Sequence, residues 1–156
     1  MSFTEATYEQ AIIELFGQMG YTHLYAPELE RDYESPLLDA VLLDSLARIN
    51  KKLPPEAIQE AAGKLKSFEG GSLIEKNRVF MDYLQNGVEA KYFAKGEEHT
   101  AIVYLLDYQR PENNTFQVVN QFTYIENGNN RRPDILLFIN GLPLVLMELK
   151  SPSKDE

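Results

Sequence analysis

Apolar residues recur at helical spacing in the first half of the chain and at strand spacing in the second, so the pattern predicts helices followed by a sheet. Tyr8, Ile12, Leu15, Phe16 and Met19 would line one face of a helix from about Thr4 to Met19. Ser2 and Glu5 stand ahead of it at capping-box spacing, and Gly20 is a stop signal. A loop through Pro27 and Arg31 is expected next. Ser35-Pro36 then reads as the N-cap and first-turn proline of a helix reaching about Asn50. Leu53-Pro54-Pro55 separates it from a helix near Glu56 to Lys66, and Ser72 with Glu75 caps another that ends near Asn86-Gly87.

Beyond Gly87 the texture turns β-branched and aromatic. Strands are predicted over Val88 to Phe93, Ala101 to Tyr108, Phe116 to Ile125, Ile135 to Ile139 and Leu144 to Leu149. Lys95-Gly96-Glu97, Arg110 to Asn114, Asn127 to Asn130 and Asn140-Gly141 supply turn chemistry between them. The last two strands are apolar at nearly every position, as expected of a sheet covered on both faces. The predicted class is α/β, a mixed and largely antiparallel sheet flanked by helices, and 156 residues suit a single domain.

Three charged residues interrupt the two apolar strands at the end of the chain. Glu148 and Lys150 are two apart, so on a strand they leave the same face, and Asp134 begins the neighbouring strand. Charges in apolar surroundings must be paired or hold a metal. Two carboxylates make a hard oxygen site suited to Mg²⁺, and a lysine beside them can orient or deprotonate a water. Glu89-Ala90-Lys91 repeats the Glu-x-Lys spacing, but Pro133-Asp134 is the sole Pro-Asp pair in the chain. On these residues alone a nuclease centre and a structural ion pair at a hairpin end both stand.

Register sets a condition on the first of these. A two-residue Asn140-Gly141 turn puts Ile139 opposite Leu142, and continued regularly it puts Asp134 opposite Met147, facing away from Glu148. A shared site needs a longer loop or a bulge, and Pro143, which cannot donate a ladder hydrogen bond, supports either.

The Pro-Asp and Glu-x-Lys arrangement resembles the PD-(D/E)-x-K nuclease superfamily. A wider set of residues is similar to the N-terminal nuclease domain of the R subunit of type I restriction-modification enzymes: Tyr8-Glu9, Gly20-Tyr21, Asn114-Thr115-Phe116, Val118 through Phe122, and the run from Arg132 through Lys150. The resemblance implies a restriction-endonuclease-like fold, catalysis by Asp134, Glu148 and Lys150, and Mg²⁺ held by Asp134 and Glu148. It also implies double-stranded DNA as substrate, modification and specificity subunits as partners, and ATP used only by motor domains outside this chain. Glu9 and Gln121 are candidate auxiliary residues, with a solvated helix flank and a structural amide as their plainer readings. Arg131 and Arg132 are candidate phosphate contacts or simply part of a solvated turn, and His23 and His99 read as surface histidines. Six residues follow Lys150, so the helix, last core strand and Gln-x-x-x-Tyr motif of that subfamily are expected beyond this segment.

Charge limits what the chain does by itself. It carries 24 acidic and 15 basic residues, a net −9, whereas duplex affinity comes largely from neutralising phosphates. Other domains or subunits are therefore expected to deliver the DNA. The chain lacks cysteine, which excludes thiolate catalysis and sulfur-held zinc, and with neither a signal peptide nor a long apolar span it is expected to be cytosolic. A noncatalytic docking domain of the same fold and a resolvase- or transposon-type nuclease are the competing readings.

Overall fold

The computed structural model describes residues 4–150. In chain order its main elements are α1 (Glu5–Gln18), β1 (Thr22–Tyr25), α2 (Asp39–Ile49), α3 (Pro55–Lys66), α4 (Leu73–Asn86), β2 (Val88–Ala94), β3 (Glu97–Val103), β4 (Phe116–Asn120), β5 (Tyr124–Glu126), β6 (Asn129–Arg131), β7 (Ile135–Ile139) and β8 (Leu142–Met147). They form two compact units, one from the described parts of Met1–Leu38 and Phe116–Glu156, the other Asp39–Thr115. The architecture is α/β with a mixed, largely antiparallel sheet, as the pattern predicted.

The first unit is built on a four-stranded sheet in the order β1-β4-β7-β8. β1 runs parallel to β4, and the β4–β7 and β7–β8 pairs are antiparallel. Helix α1 covers one face. Ile13 is buried with Val118, Ile135 and Leu137, and Ile12, Phe16, Tyr21, Met147 and Leu149 pack around them. That face differs from the predicted stripe, because Leu15 and Met19 lie 53% and 63% exposed. Adjacent Ile12 and Ile13 take the central place instead, which turns the helix so that Leu15 and Met19 flank the sheet. Thr4 is the N-cap, its side chain accepting from the Thr7 amide, and Ser2 of the expected capping box lies outside the described residues.

Three further expectations change in this unit. The loop after Gly20 contains β1, a four-residue strand whose partner is distant in sequence and which local pattern therefore does not announce. The stretch predicted as one strand from Phe116 to Ile125 breaks at Gln121, a non-glycine residue with φ +56°. Its remainder becomes β5, which pairs with β6 across an Asn127-Gly128 turn where a loop was expected to reach Asn130. Finally β8, predicted to be covered on both faces, exposes Val145 and Leu146 and has β7 as its sole sheet neighbour among the described residues.

In the second unit, the α2 helix begins at Asp39 and not at Ser35-Pro36. The segment ahead of it is occupied otherwise: the Ser35 hydroxyl accepts from the Leu37 amide, and the Leu38 amide donates to Gly141 O in the β7–β8 turn. Helix α3 buries Ala57, Ile58, Ala61, Ala62 and Leu65. The predicted capping box of α4 is present, with Ser72 and Glu75 exchanging both hydrogen bonds, and Gly87 ends the helix at φ +85°. Strands β2 and β3 form a hairpin about Lys95-Gly96, both at positive φ. β3 therefore starts at Glu97 and stops at Val103, earlier at both ends than Ala101 to Tyr108. Its first residues are charged and exposed, so they carry no apolar signal.

Candidate active site

The β7–β8 hairpin positions the two acids. Asn140 and Gly141 both adopt positive φ, +53° and +79°, and Ile139 faces Leu142 across this two-residue turn. Phe138 faces Pro143, but Leu137 then faces Val145, so Leu144 is an extra residue left out of the pairing. This bulge shifts the register by one residue. Leu136 consequently faces Leu146 and Ile135 faces Met147, which brings Asp134, just ahead of β7, across from Glu148, just beyond β8. The turn is the tight one, and the bulge that a shared site then requires is present.

Asp134 and Glu148 meet there. The Asp134 Oδ2 accepts a hydrogen bond from the Leu149 amide at 2.7 Å, which ties the acid to the backbone next to its partner. The Glu148 carboxyl is held above its ordinary pKa by local desolvation, by the negative charge of Asp134 and by a hydrogen bond shared with the Asp134 carboxyl. Two acids this close repel when both are ionised, and a cation between them relieves the repulsion. Met147 and Leu149 pack under α1, so Leu146 and Glu148 point away from that helix.

Glu148 lines an open groove of about 460 Å³ that Asn130, Arg131 and Arg132 also line. Arg131 reaches Glu126 only at 3.9 Å, and Arg132 makes no ion pair among the described residues. Both predicted arginines thus stand beside one predicted acid. Lys150 is exposed, and no hydrogen bond or ion pair among the described residues joins it to Asp134 or Glu148. The regular strand ends at Met147, so the same-face argument for Glu148 and Lys150 stops short of the lysine.

Glu9 and Gln121 lie together at the β4 end of the sheet. The Glu9 Oε1 accepts from Asn120 Nδ2 at 2.6 Å, and its Oε2 accepts from Gln121 Nε2 at 3.0 Å. The Gln121 amide donates to Asp134 O at 3.2 Å, linking this group to the acid pair through the backbone. His23 is exposed, as its reading as a surface histidine expected, and places Nε2 2.7 Å from Asn120 Oδ1. Asn120 and the bond from His23 to it are what sequence reading missed. The Asn120-Gln121 dipeptide at the end of an apolar strand was the signal available for the former, and β1 had to be seen before the latter had any address.

The donor set fits Mg²⁺. It consists of oxygens alone, and among the described residues no three His, Cys, Asp or Glu side chains gather at one cation position. Mg²⁺ suits such a pair because it keeps several waters and needs only one or two protein carboxylates.

Residues 2–156 match the family model described as "Type I restriction enzyme R protein N terminus". The putative type I restriction enzyme MjaIXP endonuclease subunit of Methanocaldococcus jannaschii is 32% identical over 95% of this chain and 15% of its own length. The HindI endonuclease subunit of Haemophilus influenzae is 30% identical over 94% of the chain and 15% of its own length. A Staphylococcus aureus relative, the SauMSSORF170P endonuclease subunit, is 34% identical over 58% of the chain and 9% of its own length. The chain thus spans 15% of the length of the first two relatives. It belongs to the family of type I restriction enzyme R protein N termini.

Proposed function

We propose that this chain is the DNA-cleaving domain of a type I restriction R protein and hydrolyses phosphodiester bonds of duplex DNA with Mg²⁺. The observation that carries the reading is the juxtaposition of Asp134 and Glu148, produced by a bulge that nothing in the turn itself requires. Asp134 and Glu148 would hold the cation, which when bound supplies charge stabilisation at phosphate and lowers the pKa of a bound water. The Leu149 amide fixes one oxygen of Asp134 and leaves the other for that task. Lys150, two residues after Glu148 and on a flexible stem, orients the attacking water by donating to it from Nζ. Water adds to phosphorus, the bond to the leaving oxygen breaks, and the proton that the water loses passes through solvent to that oxygen. Arg131 and Arg132, which line the same groove as Glu148, steady the phosphate chain.

In this reading, modification and specificity subunits choose the DNA, and ATP is spent in motor domains elsewhere in the R protein. That division of labour suits a segment of net charge −9, which has little affinity of its own for a polyanion. The test is substitution in the full-length enzyme. Asp134→Ala, Glu148→Ala and Lys150→Ala are each expected to abolish cleavage while ATP hydrolysis continues. Normal cleavage by any of the three removes that residue from the centre.

A further inference from the structure

Both oxygens of Glu9 are taken by side-chain amides, from Asn120 and from Gln121. A carboxylate only accepts, so the Asn120 NH₂ must face it. Asn120 Oδ1 is then the atom that faces His23 and can likewise only accept. The His23 Nε2 must therefore carry a proton, and the hydrogen bonds run in one direction, from His23 to Asn120 to Glu9. Pairing of β1 with β4 sets His23 beside Val118, two residues from Asn120, so both side chains lie on the sheet face that α1 covers.

Gln121 closes the network from the other side. Its backbone at φ +56° is one that residues with a Cβ avoid, and such conformations persist where surrounding bonds hold them. Here the holding bonds are its side chain to Glu9 and its amide to Asp134 O. Asp134 is consequently pinned twice, by Gln121 at its carbonyl and by the Leu149 amide at its carboxylate. Packing of α1 on the sheet is already provided by Ile12, Ile13 and Phe16 and does not need this arrangement.

We infer that Glu9, His23, Asn120 and Gln121 form a positioning network that sets Asp134 in place for cleavage, with Glu9 acting through Gln121 instead of ligating the cation. This rests on the reading of Asp134 and Glu148 as the cleavage centre. Breaking the network at His23 frees the Asn120 amide to turn. Glu9 then loses one of its two donors, and the grip on Gln121 and on the Asp134 carbonyl loosens.

The experiment uses the full-length R protein in its assembled enzyme, with single-turnover cleavage of plasmid DNA as readout. Asp134→Ala is the control on the underlying reading, and if it cuts normally that reading fails whatever His23 does. With that control inactive, His23→Phe is expected to slow cleavage by about 10- to 100-fold, the usual range for residues that orient a metal ligand, with DNA affinity and ATP hydrolysis unchanged. His23→Gln, whose amide can again donate to Asn120 Oδ1, is expected to restore most of the rate. A second readout needs no activity: ¹⁵N NMR of wild-type His23 should show the Nε2–H tautomer. Wild-type cleavage by His23→Phe overturns the inference, as does a His23→Gln variant no faster than His23→Phe, or an Nδ1–H tautomer.

Discussion

Asp134 lies across the β7–β8 ladder from Glu148 because Leu144 is left unpaired between them and the turn. Without that residue in excess, the two-residue Asn140-Gly141 turn would set Asp134 against Met147, whose side chain packs under α1. One bulge thus decides whether two acids share a site or point to opposite faces of the sheet. Bulges of this kind re-aim side chains beside active sites, and this one leaves β8 with an exposed outer stretch at Val145 and Leu146.

Gly87 is expected to be intolerant of any side chain. It sits at φ +85° between α4 and β2, and a Cβ there would meet Ile102 Cγ2 at 2.6 Å and Val103 O at 2.9 Å. The first contact moves with a side chain, but the second is backbone. Gly87→Ala should lower unfolding free energy by about 2–4 kcal/mol, combining the strain of a positive-φ backbone open essentially to glycine with overpacking. Urea denaturation measures it, and a loss below about 0.5 kcal/mol would show that the hairpin shifts freely.

The α4 capping box predicts a pH effect as well as a stability effect. Glu75 is held below its ordinary pKa, chiefly by the hydrogen bond from the Ser72 backbone and then by that from the Ser72 side chain. A depressed carboxyl contributes stability that is present above its unfolded pKa and lost as pH falls through the folded value. Ser72→Ala should cost about 1 kcal/mol near neutrality. The variant should also lose less stability than wild type on acidification, since part of what acid removes is already gone. Parallel thermal melts from neutral to acidic pH would show the two curves converging, and curves that stay parallel would speak against the box as the cause.

Arg131 and Arg132 are expected to contact phosphate in the groove they line with Glu148. Each phosphate contact contributes about 0.9 to the slope of log affinity against log salt. Replacing both with Glu in the full-length enzyme should weaken DNA binding and flatten that slope by about 1–2. An unchanged salt dependence, measured by fluorescence anisotropy in EDTA, would return both arginines to the solvent.

Local chemistry was readable where a few neighbouring residues decide the outcome. Ser72 with Glu75, Asn86-Gly87 and Asn140-Gly141 each specify a cap or a turn without outside help. The acid pair was partly readable, since a site shared by Asp134 and Glu148, with Pro143 near the turn, calls for a longer loop or a bulge. The structure has the bulge at the neighbouring Leu144. What stayed hidden depends on partners remote in sequence. β1 has four mostly exposed residues and acquires its identity by lying parallel to β4, and His23 finds Asn120 97 residues away. Gln121 looked like one more strand residue because the break there is made by bonds to Glu9 and Asp134, and no Gly or Pro marks it. The predicted start of α2 at Ser35-Pro36 failed for a related reason, the Leu38 amide being used by Gly141 of the distant hairpin.

Locating a bound cation tests most directly whether Asp134 and Glu148 hold one between them. Crystals of the R protein soaked in Mn²⁺, a substitute for Mg²⁺ with an anomalous signal, should show manganese against the Asp134 and Glu148 carboxylates in wild type and none there in Glu148→Ala. Manganese absent from the wild-type pair, or unchanged at that position in Glu148→Ala, would contradict the account.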